Sequence, residues 1–192
     1  MRGYFGIGVE GISKTMNVGN LFRTAHAFGA SFVFTIDATY ERTIGQKSDT
    51  SKSGGHVPFY SFPTAEQVML PEGCKLVGVE LLENSIELPS FRHPQQAAYV
   101  LGPERGELSP AMIERCDHII QIPMSFCVNV GIAGAIVMYD RLTSQGRFAP
   151  RPVAEGGPTE ELPAPQFGGR FSRKELAPMK PFEDTPPEVY ND

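Results

Sequence analysis

The sequence predicts an α/β domain built on a largely parallel sheet. Three observations predict it. Short β-type apolar runs recur along the first 145 residues, segments of helical spacing separate them, and several runs are continuous rather than alternating, as strands covered on both faces require. In such sheets ligands sit beyond the carboxyl ends of the strands, so the turns that follow strands are where function is sought.

Tyr4 to Glu10 is the first apolar run and reads as a strand. Asn17 to Phe28 follows with Leu21, Phe22, Ala25 and Phe28 at helical spacing, and Gly29 is its natural C-cap. Phe32 to Ile36 is an unbroken apolar run of buried-strand type, ended by Asp37. Leu76 to Leu82, Ala97 to Leu101 and Ile119 to Ile122 read as further strands. Ser109-Pro110 opens a helix, with Ser as N-cap and Pro at the first helical position. Val130 to Leu142 is a nearly all-apolar helix, expected to be buried and to contribute to an interface.

The chain has 192 residues and 21.0 kDa, enough for one domain and an appendage. Residues 1–145 hold 8 Pro, whereas 146–192 hold 9 Pro and 5 Gly, so the domain is placed at 1–145 and a Pro/Gly-rich extended or disordered tail at 146–192. Seventeen basic and twenty-two acidic side chains give a net charge of −5, which excludes a polybasic nucleic-acid binder but not a local basic patch. No run approaches the roughly 18 apolar residues of a membrane span, and the first residues do not form a signal peptide. Three cysteines, Cys74, Cys116 and Cys127, lack CxxC spacing; a disulfide scaffold is not expected, Cys74 and Cys116 read as buried thiols, and a cytoplasmic location is. His26, His56, His93 and His118 form no HExxH or paired Cys/His pattern, so no metal is expected.

Gly6-Ile7-Gly8-Val9-Glu10-Gly11 matches G-x-G-x-x-G, with Asp37 ending the next strand, which offers a nicotinamide-dependent oxidoreductase as one reading. Only five residues precede Gly6, Gly11 opens no helix, and Asp37 lies farther along than a ribose-binding acid should. Glycines packed inside a short first strand account for the pattern better.

Three other segments carry more. Asn17-Val18-Gly19-Asn20-Leu21-Phe22-Arg23-Thr24-Ala25 places Asn17, Asn20 and Arg23 near one helix face, where a guanidinium suits a phosphate or ribose. Leu101-Gly102-Pro103-Glu104-Arg105-Gly106-Glu107-Leu108-Ser109 follows a buried strand and allows close backbone approach to a ligand. Ile122-Pro123-Met124-Ser125-Phe126-Cys127-Val128-Asn129-Val130-Gly131 leads from a strand into a helix rich in small residues. Each taken singly could be packing or an ordinary turn.

Together the three resemble the SpoU (TrmH-like) branch of the SPOUT RNA methyltransferases, whose motifs read N-x-G-x-x-x-R-T-A-x-x-F-G, then G-x-E-x-x-G-L-S, then I-P-M followed by S-L-N-V-S. The resemblance covers residues 1–145. It implies a parallel α/β sheet with a deep trefoil knot in its C-terminal half, a homodimer, and an S-adenosylmethionine pocket within the knot. Carried over by position, Glu80 and Leu81, the turn residues Leu101, Gly102, Glu104, Arg105 and Gly106, and the third-motif residues Ile122, Met124 and Val128 would contact the cofactor. Arg23, Asn17, Glu104 and Asn129 match the family's functional positions around the transferred methyl group, and Cys127 occupies a further one with a different residue. Cys127 stands where the family has serine, Gly131 where it has a second serine, and the segment after Ile122-Pro123-Met124 is shorter than in many relatives.

The implied activity is methylation of a ribose 2′-hydroxyl in tRNA or rRNA, with a small substrate such as a tRNA loop favoured. The loop from Thr39 to Tyr60, with Arg42, Lys47 and Lys52, is the candidate RNA contact, joined by Arg23. The alternative is a pocket protein weak in catalysis that binds RNA or another partner.

Overall fold

The computed structural model describes residues 3–38, 57–103, 106–146, 148, 151–152 and 155–157. Contacts divide the chain into Met1–Arg147 and Phe148–Asp192. Among the described residues of the first unit, seven strands form one sheet. They are β1 (Tyr4–Glu10), β2 (Phe32–Ile36), β3 (Phe59–Phe62), β4 (Lys75–Val79), β5 (Ile86–Glu87), β6 (Gln96–Leu101) and β7 (His118–Gln121). The helices are α1 (Thr15–Phe28), α2 (Pro110–Arg115) and α3 (Val130–Gln145). Strand order is β3-β2-β1-β6-β4-β7-β5, and every neighbouring pair is parallel. None of the described helices is long and apolar enough to cross a membrane.

The alternation of side chains along β1 builds both faces of the sheet. Phe5, Ile7 and Val9 join Val18, Leu21 and Ala25 of α1 and Val130, Val137 and Met138 of α3 in one core. The opposite face carries a second core of Phe32, Phe34, Ile36, Leu76, Ala98, Val100 and Met112. On that side β1 presents Gly6 and Gly8, and a Cβ there would lie 2.2 Å from the Phe32 ring and 2.4 Å from the Phe34 ring. The two glycines therefore make room for aromatic rings and form no pyrophosphate loop, which removes the basis of the oxidoreductase reading.

α1 begins at Thr15, two residues before its expected start at Asn17, and ends on Gly29 in the left-handed conformation at φ +76°. Ser109 caps α2 through its side chain, which accepts from the Met112 amide at 3.1 Å. β4 stops at Val79, three residues short of the expected end, so Glu80 and Leu81 lie beyond the strand. β3 and β5 are additions to the expected strands. α3 buries Val130, Gly134, Val137 and Met138 but exposes Ile132, Tyr139 and Leu142, so its expected burial corrects to burial along one face within the single chain. Cys74 and Cys116 are half-buried rather than fully enclosed; burial still pushes the Cys116 thiol up to about 12.

At the amino ends of β1 and β6 sits a buried polar chain. Arg141 of α3, 4% exposed, donates to the carbonyls of Pro94 at 2.6 Å, Gln95 at 2.8 Å and Tyr4 at 3.3 Å, and to the Tyr99 hydroxyl at 3.2 Å. Tyr99 meets His93 Nδ1 at 2.6 Å, and His93 Nε2 meets Asp140 at 2.9 Å. One assignment satisfies every group: Arg141 donates to the Tyr99 oxygen, the Tyr99 hydroxyl to Nδ1, and Nε2–H to the carboxylate. That requires neutral His93, and burial holds its pKa below the ordinary value.

Candidate active site

The carboxyl ends of β4, β6 and β7, joined by the start of α3, enclose an open cleft of about 220 Å³. Its lining comes from three stretches of chain. Val79, Glu80 and Leu81 follow β4; Leu101, Gly102, Pro103 and Gly106 follow β6; Gln121, Ile122, Met124, Cys127 and Val128 follow β7, with Val130 and Ala133 from α3. The walls are mostly apolar, and Glu80 and Gln121 supply the polar side chains. This is the position that a parallel sheet reserves for a ligand.

The turn after β6 is held tightly. Glu80 accepts hydrogen bonds from the amides of Leu81 and Leu108, both at 2.9 Å. A Cβ on Gly102 would stand 2.9 Å from the Glu80 carboxylate and 3.2 Å from the Leu108 nitrogen, so only glycine lets the turn close this far. Glu10, at the end of β1 and 7% exposed, accepts from the Ser109 amide at 2.8 Å and its hydroxyl at 2.6 Å.

The first and third motifs meet through a side-chain hydrogen bond. Asn129 donates from Nδ2 to Oδ1 of Asn17 at 3.1 Å, across 112 residues of chain. The same Asn129 caps α3, its Oδ1 accepting from the Gly131 amide at 2.9 Å. Gly131 fits beneath α1: a Cβ there would come within 3.6 Å of the Asn20 Cβ and 3.2 Å of the Asn129 side-chain Oδ1. The small residues that begin α3 thus serve the approach of α1, which carries Arg23.

Of the residues singled out from sequence, Glu80, Leu81, Leu101, Gly102, Gly106, Ile122, Met124, Val128 and Cys127 all line the cleft. Asn17 is buried, whereas Asn20, Arg23, Asn129 and Cys127 are exposed, so the face expected to carry Asn17, Asn20 and Arg23 divides between core and surface. Glu104, Arg105, Arg42, Lys47 and Lys52 lie outside the described residues. Pro103 belongs to the turn the sequence marks, whereas nothing in the sequence singles out Val79, Gln121, Val130 and Ala133 as lining or Glu10 as lying behind it; the one signal for Glu10 is a carboxylate ending an otherwise apolar strand.

The profile of the family described as "SpoU rRNA Methylase family" matches residues 5–139. The chain is 26% identical over 143 residues to the 23S rRNA (guanosine-2'-O-)-methyltransferase RlmB of Nitrosomonas europaea, covering 69% of this chain and 53% of that protein. The chain spans a little over half the length of the bacterial relatives it matches in this way. Its fold is similar to that of the SpoU methyltransferase AviRb from Streptomyces viridochromogenes, solved in complex with the cofactor AdoMet, with a TM-score of 0.66, 21% identity, and coverage of 74% of this chain and 58% of that one. A structure solved for insight into 2-OH methylation of C/U34 on tRNA superimposes with a TM-score of 0.64 at 19% identity, covering 75% of this chain and 97% of the other.

Proposed function

The chain belongs to the SpoU rRNA Methylase family, and on that premise we propose that it is an S-adenosylmethionine-dependent RNA methyltransferase acting on a ribose 2′-hydroxyl. The observation that carries this reading is the cleft itself: its three lining segments are the ones in which the second and third motifs, and the end of β4, were expected to meet a cofactor.

The lining suits an adenosyl group. Leu101, Ile122, Val130 and Ala133 offer apolar walls to a flat purine, and the Glu80 carboxylate and Gln121 amide offer polar contacts to hydroxyl or amino groups. When bound, S-adenosylmethionine supplies an electrophilic methyl on its sulfonium. The protein's task is then to align an acceptor oxygen and manage its proton. In this reading Arg23 holds the ribose or an adjacent phosphate and assists loss of the hydroxyl proton. Asn17 and Asn129 fix the geometry between α1 and the cleft through their mutual hydrogen bond. Glu104 and Arg105 contact the cofactor, Cys127 takes the place of the family's serine at the cleft wall, and Arg42, Lys47 and Lys52 contact the RNA backbone.

The proposal extends to architecture and surroundings. The segment after β7 forms the knot typical of the SPOUT fold, two copies pair as a homodimer that doubles the RNA-binding surface, and residues 146–192 follow as a tail. A tRNA is favoured over rRNA, a choice in keeping with the neighbour solved for 2-OH methylation of C/U34 on tRNA. A cytoplasmic setting suits three free cysteines.

The test is thermal unfolding with S-adenosylhomocysteine, S-adenosylmethionine and NAD in parallel. A ligand present at about 100 times its dissociation constant adds near 2.7 kcal/mol of stability, a shift of several degrees. A shift with the adenosyl ligands alone, followed by methyl transfer to RNA, is the expected outcome. Binding without transfer to any tRNA or rRNA would favour the pocket protein that has lost catalysis, which the cysteine at position 127 makes the second reading.

A further inference from the structure

We infer that Glu10 is a positioning residue for the cleft, holding with Glu80 the turn that the adenosyl ligand contacts; this rests on the function proposed above. β1, β6 and β4 are adjacent and parallel, and Val9 and Val79 both pair with Leu101, so the three strands end side by side. One residue beyond, Glu10 and Glu80 flank the departing chain at Gly102. The turn then returns between them. Glu80 takes the Leu108 amide at 2.9 Å, and Glu10 takes the next amide, that of Ser109, at 2.8 Å together with its hydroxyl at 2.6 Å. Consecutive amides are gripped by carboxylates from either side of β6, Glu10 at the end of β1 and Glu80 just past the end of β4.

Capping does not explain Glu10. The Ser109 hydroxyl already accepts from the Met112 amide at 3.1 Å, which caps α2 without help. Enclosing a carboxylate costs free energy that an apolar residue at the end of β1 would not. The return is positional: the Ser109 anchor fixes the closing end of the turn, while Gly102, with no room for a Cβ beside Glu80, fixes its opening end. Pro103 and Gly106, between those anchors, line the cleft, and Glu10 does not. Glu10 therefore acts on the ligand only through the shape of the turn.

The chemistry of the contact separates geometry from charge. In Glu10→Gln the amide oxygen can accept from the Ser109 N–H while Nε2 donates to the Ser109 hydroxyl oxygen, which retains a lone pair for the Met112 amide. Glu10→Ala loses both contacts. Titration calorimetry with S-adenosylhomocysteine, combined with amide hydrogen exchange at Leu108 and Ser109, tests this. Glu10→Ala is expected to weaken binding about tenfold, as loss of one well-placed hydrogen bond does, and to expose the Ser109 amide to exchange. Glu10→Gln restores both readouts, and Ser109→Ala, which keeps its backbone amide, falls between them. His93→Ala, at the far end of the sheet, lowers the melting temperature without changing affinity and controls for general destabilisation. The inference is overturned if Glu10→Ala binds as tightly as wild type, or if its affinity loss is matched by His93→Ala at equal loss of melting temperature. Should Glu10→Ala not fold, the same comparison between Ser109→Ala and Glu10→Gln decides it. Failure of the wild-type protein to bind the ligand at all would instead remove the function on which the inference rests, and the exchange of Ser109 would then report only the hydrogen bonds.

Discussion

Replacing Arg141 with methionine should destabilise the domain without touching the cleft. The substitution preserves most of the apolar stem and removes the donors. Two of the lost hydrogen bonds are short and charge-assisted, to Pro94 at 2.6 Å and Gln95 at 2.8 Å, each worth about 1.5–3 kcal/mol. The longer contacts to Tyr99 and Tyr4 contribute less. The guanidinium also stands 5.4 Å from the Phe5 ring centre and 5.9 Å from that of Tyr99, an attraction of about 0.5–2 kcal/mol. Against these losses stands the desolvation of a buried cation, several kcal/mol that the methionine variant no longer bears. The balance is a loss of about 3 kcal/mol, the lower end of what breaking a buried charged contact costs. For a unit of this size that corresponds to a melting temperature lower by about 10 °C. Thermal and urea unfolding at neutral pH measure it, and S-adenosylhomocysteine affinity, read at a temperature where both proteins are folded, should be unchanged. A stability loss below about 1 kcal/mol would refute the assignment of Arg141 as the anchor of α3 to the amino ends of β1 and β6.

The same network makes stability depend on pH. Burial lowers the folded-state pKa of His93 below its ordinary value of about 6.5, so the unfolded chain binds this proton more readily. The contribution is complete above about pH 6.5 and is lost as pH falls through the depressed folded value, and a melting-temperature series from pH 8 to pH 5 should decline at its acid end, with His93→Gln flattening the curve. Arg23→Ala should lower methyl transfer by about 100-fold or more while leaving S-adenosylhomocysteine affinity intact, because Arg23 does not line the cleft; equal losses in both assays would contradict its proposed role toward the ribose. Gly8→Val replaces a poor strand former with a good one, worth up to about 1 kcal/mol of gain in open space. With the Phe34 ring 2.4 Å from the new Cβ and Phe34 fully buried, the expected result is instead loss of soluble folded protein, judged by yield and circular dichroism.

The strands legible in the sequence were those whose signal is local. β1 and β2 run from Tyr4 to Glu10 and from Phe32 to Ile36, as the apolar runs predict, because each run is bounded by residues that end a strand. β4 was overrun because Leu81 and Leu82 continue the hydrophobicity past Val79, although Leu81 lies at the cleft and is 47% exposed. β3 had no such signal: Phe59–Phe62 alternates little and becomes a strand by pairing with β2 along one edge. The cleft was legible through its motifs, since Gly102, Met124 and Val128 sit in short patterns of fixed spacing. Contacts across the chain were not. The Glu10–Ser109 pair spans 99 residues, and Arg141 meets carbonyls from residues 4, 94 and 95, so neither burial nor partner can be read from the neighbours in sequence.

The placement of β1 between β2 and β6 also sets the order in which the chain can become a protein. β1 is made well before one of its two partners, residues 96 to 101, so from Tyr4 to Gln96 the chain must grow by 92 positions before the central ladder can begin to close. Until then the early product is the β3-β2-β1 edge with an open side and with Ile7 and Val9 lacking the cover that α3 will provide. Parallel pairing at such separation requires loop closure before it returns any contact energy, which makes folding slow and leaves a sticky strand edge exposed meanwhile. α3, whose Arg141 clasps the starts of β1 and β6, follows both in the chain and locks β1 to its distant neighbour. Chains shortened before α3 should therefore fail as whole domains rather than lose one helix, because the centre of the sheet joins strands far apart in sequence and α3 packs on both.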